Sequence, residues 1–240
     1  MRSKTKQTTH MVARKATAAA KGLTALLLSL FLLSGCEQLG DLDDIIGDHD
    51  GGKDKMMMYK VQLHALNNSG VSGTATVMMT ENGYFEIIAD AEGLVPNMMH
   101  PQHIHGFVME NAADKKSMCP DPSAAGEDGL ISHEELEHYT GEDIIPLDDK
   151  LVPLTADNFP VANAAGTLSY GAKVKTHSLV SAFDAAHNGT QTMKDLELGK
   201  RVIVIHGAYM LDNMVVAPGT EGAEYMAEIP VACGELMEMK

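Results

Sequence analysis

The chain has 240 residues, 33 Asp and Glu against 18 Lys and Arg, 11 His, 17 Met and no Trp, for a net charge of −15. Six basic residues and no acid fall in the first 35 positions, so the remainder holds 12 basic against 33 acidic side chains, or −21. A body of that sign excludes nucleic-acid binding through a basic face and disfavours docking of the folded part onto an anionic lipid surface.

In chain order the first element is an apolar run of eleven, residues 23–33 (LTALLLSLFLL), behind the basic stretch. Spanning a bilayer takes about 20 apolar residues, so the run suits the h-region of a secretory signal instead. It ends in Leu33-Ser34-Gly35-Cys36, which resembles the lipobox of bacterial lipoproteins. That resemblance implies a signal peptide over 1–35, acylation of Cys36 and a lipid anchor in the cell envelope. Glu37 rather than Asp after the cysteine implies the outer membrane, facing the periplasm. Residues 36–56 then form a tether, since the stretch from Glu37 to Lys55 holds seven acids and four glycines and cannot bury enough apolar area to order itself. His49, between two Asp, reads as a solvated linker residue.

From 57 to 240 the pattern is one of short β-rich runs separated by Gly, Asn, Asp and Pro. Strands are expected over 59–66, 73–80, 84–89, 102–109, 166–174, 178–183, 200–206 and 225–231. Glu81-Asn82-Gly83 is a hairpin signal, because Asn-Gly tolerates positive φ. Seven or eight strands and no long amphipathic helix predict a single all-β domain, an antiparallel sandwich or Greek-key barrel. The stretch 110–165 breaks the pattern, and an irregular loop of that length is usually functional or stapled. Cys119 lies in it and Cys233 follows the last strand. An exported domain favours one disulfide between them over two buried thiols.

The most informative segment is Gln102-His103-Ile104-His105-Gly106. Residues i and i+2 of a strand share a face, so His103 and His105 stand side by side with Ile104 turned to the core. His206 ends the apolar run Val202–Ile205, where a strand-end histidine at a barrel rim can join the pair. Three neutral imidazoles suit copper, zinc or nickel and leave a coordination position open.

Gly93-Leu94-Val95-Pro96 followed by His100-Pro101-Gln102-His103-Ile104-His105 is similar to a segment of the copper/zinc superoxide dismutases. So are Leu198-Gly199-Lys200-Arg201-Val202-Ile203-Val204-Ile205-His206, the closing Ala232-Cys233-Gly234, and the place of Cys119 as the disulfide partner. The resemblance implies an eight-stranded Greek-key barrel and makes His103, His105 and His206 copper ligands. It makes His100 a structural histidine beside them; His100 and His133 are also further candidates for the metal. The chain departs from the family where a bridging His and the zinc ligands are expected, since 120–129 holds no histidine, so zinc is not implied. Pro230 replaces the arginine that guides the anion, and a strongly negative domain repels superoxide.

Asp128-Gly129-Leu130-Ile131-Ser132-His133-Glu134-Glu135 resembles the second half of an EF-hand calcium loop, but only Asp128 and Glu135 survive of the ligands. The other reading is a capping box, Ser132 to Glu135, opening a short helix. The pairs Met78-Met79 and Met98-Met99, with Met56–Met58, supply either core filler or soft ligands. Three functions follow. One is a copper-dependent, superoxide dismutase-like enzyme acting on superoxide. The second is a non-catalytic protein that binds or stores copper. The third is a metal-free β-barrel module, since CHRD-type domains share the His-Ile-His-Gly motif.

Overall fold

A computed structural model describes residues 56–80, 83–108, 115–155, 158–187 and 196–240. The leader, Cys36, His49 and the tether up to 55 lie outside the described residues, as do Glu81 and Asn82 of the hairpin. Among the described residues no helix is long and apolar enough to cross a membrane.

Eight strands form the main path. They are β1 (Met57–Ala65), β2 (Ser72–Met79), β3 (Tyr84–Glu92), β4 (Gln102–Gly106), β5 (Glu142–Pro146), β6 (Leu168–Lys175), β7 (Val202–Leu211) and β9 (Glu224–Glu235). Two short strands lie off it: β8 (Met214–Val216) pairs with β7, and β10 (Met237–Glu238) pairs with β1. The order is β5-β4-β7-β9-β1-β2-β3-β6. The chain runs β1-β2-β3 as a meander, crosses to the β4–β5 pair, and returns with β6 beside β3, which is a Greek-key connection. The expected all-β Greek-key fold is therefore present.

β1 joins two halves. Its residues Met57 to Leu63 pair with β2, while His64 and Ala65 pair with Cys233 and Ala232 of β9. Side chains from both halves meet in one core: Val61, Val77, Phe85 and Ile87 from the first, Ile104, Ile145, Ile203, Ile205 and Val231 from the second. Period-2 alternation accounts for this, since β1 buries Tyr59, Val61 and Leu63 and turns Met58, Lys60 and Gln62 outward.

Two expectations change. Residues 178–183 are not a strand but lie within helix α2 (Thr176–Ala186). Its buried residues Thr176, Leu179 and Phe183 fall at spacings of three and four, a helical period hidden in a β-branched-looking run. The stretch 110–165 is also less irregular than expected, for it contains helix α1 (His133–Thr140) and β5. In β5 the buried residues Ile144, Ile145 and Pro146 are consecutive, so no alternation advertised it.

The long segment between β4 and β5 covers the outer face of the β4–β7–β9 half. Ile131 and Leu136 pack there on Val202, Val204 and Cys233 in a second apolar cluster. The Cys119–Cys233 disulfide fastens the segment, with Cα atoms 5.7 Å apart. Buried Arg201 ties its base, donating from Nε to Leu196 O at 2.9 Å and from Nη1 to Phe107 O at 3.0 Å.

Candidate metal centre

β4 lies between β5 and β7, with His103 opposite Val204 and His105 opposite Val202 on one side, and His105 opposite Asp143 on the other. Ile104 points into the main core and is fully buried. His103 and His105 therefore occupy the outer face, beneath the covering segment. His206 shares that face with Val202 and Val204, four and two residues back along β7. A β-bulge re-aims it: the β7–β9 register shifts on both sides of His206, and Gly207 follows with φ 109°. A Cβ at Gly207 would run into the Tyr225 hydroxyl and meet His100 Nδ1 at 3.0 Å, so only glycine fits.

The three predicted imidazoles converge. Ring centroids are 6.0 Å apart for His103 and His105, 5.9 Å for His103 and His206, and 5.8 Å for His105 and His206. Asp143, which sequence reasoning missed, completes the group. One donor atom from each of His103, His105, Asp143 and His206 lies within 4.8 Å of the others. Among the described residues it is the one group of at least three His, Cys, Asp or Glu close enough to hold a metal ion.

Backbone carbonyls set the rings. His105 Nδ1 lies 3.1 Å from Gly141 O and His206 Nδ1 lies 3.0 Å from Glu228 O. A carbonyl can only accept, so each Nδ1 carries a proton and each Nε2 is turned into the cluster. Only glycine fits at position 141 as well: it ends α1 with φ 77°, and a Cβ there would strike the Gly106 backbone. Buried His103 Nδ1, His105 Nε2 and His206 Nε2 have no hydrogen-bond partner. Three other buried side-chain atoms share that condition (Gln102 Oε1, Ser117 Oγ and Thr176 Oγ1), but they are not gathered in one group. Leaving three polar nitrogens unpaired in one place is costly in the absence of a ligand.

His105 Nε2 stands 2.9 Å from Asp143 Oδ1 without the alignment of a hydrogen bond, and His103 Nδ1 is 3.6 Å from Asp143 Oδ2. A ring lone pair and a carboxylate at 2.9 Å repel unless positive charge lies between them, either a second proton on His105 or a metal ion. Burial pushes the Asp143 carboxyl up, but interaction with His105 and the charges of His105, His103 and His206 override it, leaving it below the usual carboxylate range. Burial drives His206 down to about 3, helped by the charge of His105 and opposed by the Glu228 carbonyl. Burial likewise drives His103 down to about 4, with Asp143 opposing. Both rings are thus neutral at neutral pH, the form that ligates a metal.

The remaining candidates fall around this group. His100 is fully buried behind it, with Nδ1 2.8 Å from His206 O and Nε2 3.2 Å from Val95 O, so neither nitrogen faces the cluster. His133 opens α1 with its ring 5.6 Å from that of His206 and its Nε2 3.3 Å from Glu137 Oε1. It is a neighbour of the group of four, not a member. A cavity of about 320 Å³ opens over the cluster, lined by Pro101, His103, His133, Asp143, His206 and Glu228, with no Lys or Arg. A cavity of similar size, about 330 Å³, beside β7 and β8 has no charged lining. Asp128 and Glu135 have local partners: Asp128 Oδ1 accepts from Leu130 N at 3.0 Å, and Glu135 Oε2 accepts from Ser132 N at 2.9 Å within the capping box. Met99 O accepts from the Tyr225 hydroxyl.

No protein-family model matches the chain, and no curated protein does. Among solved structures it is similar to Candida albicans superoxide dismutase 5 (E110Q mutant) at 13% identity, covering 77% of this chain and 92% of that one, with a TM-score of 0.30. A likeness at that level leaves the fold to stand on its own strand order.

Proposed function

We propose that this chain is a copper-binding protein of the cell envelope, anchored through Cys36, which holds copper on His103, His105, His206 and Asp143 and consumes superoxide there slowly. One observation supports the reading: three buried imidazole nitrogens without an aligned hydrogen bond converge beside a carboxylate kept ionised, which stands 2.9 Å from one of them. Imidazole and carboxylate together suit a divalent transition ion. The histidine segments resemble those of copper/zinc superoxide dismutases, which favours redox-active copper over zinc. When bound, copper supplies one-electron exchange: one superoxide gives up its electron and leaves as O₂, and a second gains it and, with two protons, leaves as hydrogen peroxide.

The chain's own residues set the conditions. The Gly141 and Glu228 carbonyls hold His105 and His206 with their free nitrogens inward. Burial keeps His103 and His206 neutral, so neither must shed a proton to bind the ion. The cavity admits a small molecule, but Asp143 and Glu228 line it without a compensating cation, so an anion is not steered inward. That acidic wall favours a second reading, copper handling without catalysis.

Metal analysis of wild type, His103→Ala and His206→Ala tests the site. Wild type should hold copper at this centre and both variants should lose that equivalent; full copper stoichiometry in both variants overturns the site, and a wild type that takes up no copper leaves the metal-free module. Superoxide consumption by the copper-loaded protein separates the first two readings. A rate no better than that of free copper leaves copper handling.

A further inference from the structure

We propose that the outer face of β1, β2 and β10 is a second metal site, a row of methionine thioethers that binds Cu(I). It does not rest on the reading of the histidine centre, because it lies on the other half of the fold. Met58 stands directly opposite Met78 in the β1–β2 register. On the other side of β1, Tyr59 faces Glu238 and Lys60 faces Met237, and the Met239 amide continues the ladder by donating to Met58 O at 2.8 Å. Met239, Met58 and Met78 thus form one row across three neighbouring strands.

The row faces away from the core. Tyr59, Val61, Val77 and Met79 take the inward positions of β1 and β2, and the alternate residues Met58 and Met78 are only half-buried. Met239 is 44% exposed. Met56 and Met237, two residues along their strands, are 58% and 61% exposed. Directly opposed residues on a sheet face have Cβ atoms about 4.5–5.5 Å apart. Methionine has three rotatable bonds, so thioethers at that spacing can close on one ion. The contrast with the inward Met57–Met79 pair decides the role. There methionine fills the core; on the water side it fills nothing. Soft thioethers select Cu(I) over hard or borderline divalent ions. An apolar docking face fits less well, because Lys60, Gln62 and Thr76 interrupt the patch. The net charge of −15 draws cations to the surface.

The test uses the metal-free protein labelled with ¹³C at the methionine methyls and titrated with Ag(I), a redox-inert stand-in for Cu(I). The resonances of Met58, Met78 and Met239 should move together and saturate, while buried Met79 and Met210 stay fixed. In anaerobic competition with a chromogenic Cu(I) chelator, the triple variant Met58→Leu, Met78→Leu, Met239→Leu should bind one equivalent fewer than wild type. Leucine keeps the volume, and an unchanged urea unfolding midpoint reports that the variant is folded. Equal, unsaturable shifts at exposed Met118 and Met214 overturn the proposal, as does a triple variant that keeps every Cu(I) equivalent.

Discussion

The two halves of this fold use the same strands for opposite ends. In the β1–β2–β3–β6 half one face is wet: β1 and β3 alternate buried and exposed residues along most of their length. At the centre of the β5–β4–β7–β9 half both faces are covered: all five residues of β4 are buried, as are the first seven of β7. Water can satisfy any polar atom on the first half, so its outward residues are free to vary. At the centre of the second it reaches only through the cavity, and the nitrogens of His103, His105 and His206 that lack an aligned protein hydrogen bond gather beside it as a place for a ligand. A covered sheet makes a centre out of side chains that would be ordinary on an open one.

The contrast between the halves breaks first at the cover. Reducing or replacing the Cys119–Cys233 link frees a loop spanning 114 residues. The chain-entropy model puts its loss at about 4–5 kcal/mol, an upper figure. Urea unfolding of Cys119→Ser/Cys233→Ser should show that drop together with weaker metal binding, because the segment carrying Gly141 is released.

Acid comes next. His103 and His206 titrate near 4 and 3 in the folded metal-free chain but near 6.5 when unfolded. Between those values the unfolded state binds more protons, so stability falls as pH drops from about 6.5 towards 4, by about 1–2 kcal/mol for each ring at pH 5. Asp143 acts in the same direction at lower pH: its folded pKa is depressed, and its contribution is lost as the carboxylate becomes protonated. Urea midpoints at pH 7 and pH 5 measure the effect, and His206→Ala should flatten the dependence.

Ser132→Ala removes the capping box of α1 and should cost about 1 kcal/mol in the same urea titration. Glu86→Gln breaks the 2.9 Å pair with Lys173 on the open face and should change stability by less than about 0.5 kcal/mol, with no effect on metal binding.

Legibility follows the same division. The open half was readable because alternation survives wherever one face meets water; β1, β2, β3 and β6 fall close to their expected places. In the covered half the histidine pair of β4 was legible from its i, i+2 spacing, and His206 from its place at the end of an apolar run. Asp143 was not. It sits beside the consecutive apolar residues Ile144 and Ile145, and its partner His105 is 38 positions upstream, so only the β4–β5 register joins them. The one usable signal was local: Gly141 as a helix stop, then an acid before a β-branched pair. Helix α2 failed for the opposite reason, since Leu179, Val180 and Phe183 satisfy a short strand as well as a helical stripe until the buried set is known.

The central claim is that His103, His105, His206 and Asp143 hold one ion together, and paramagnetic resonance of the Cu(II)-loaded chain addresses it most directly. Hyperfine structure from three imidazole nitrogens is predicted for wild type, falling to two in His206→Ala. A spectrum indifferent to that substitution, or one without nitrogen coupling, contradicts the account.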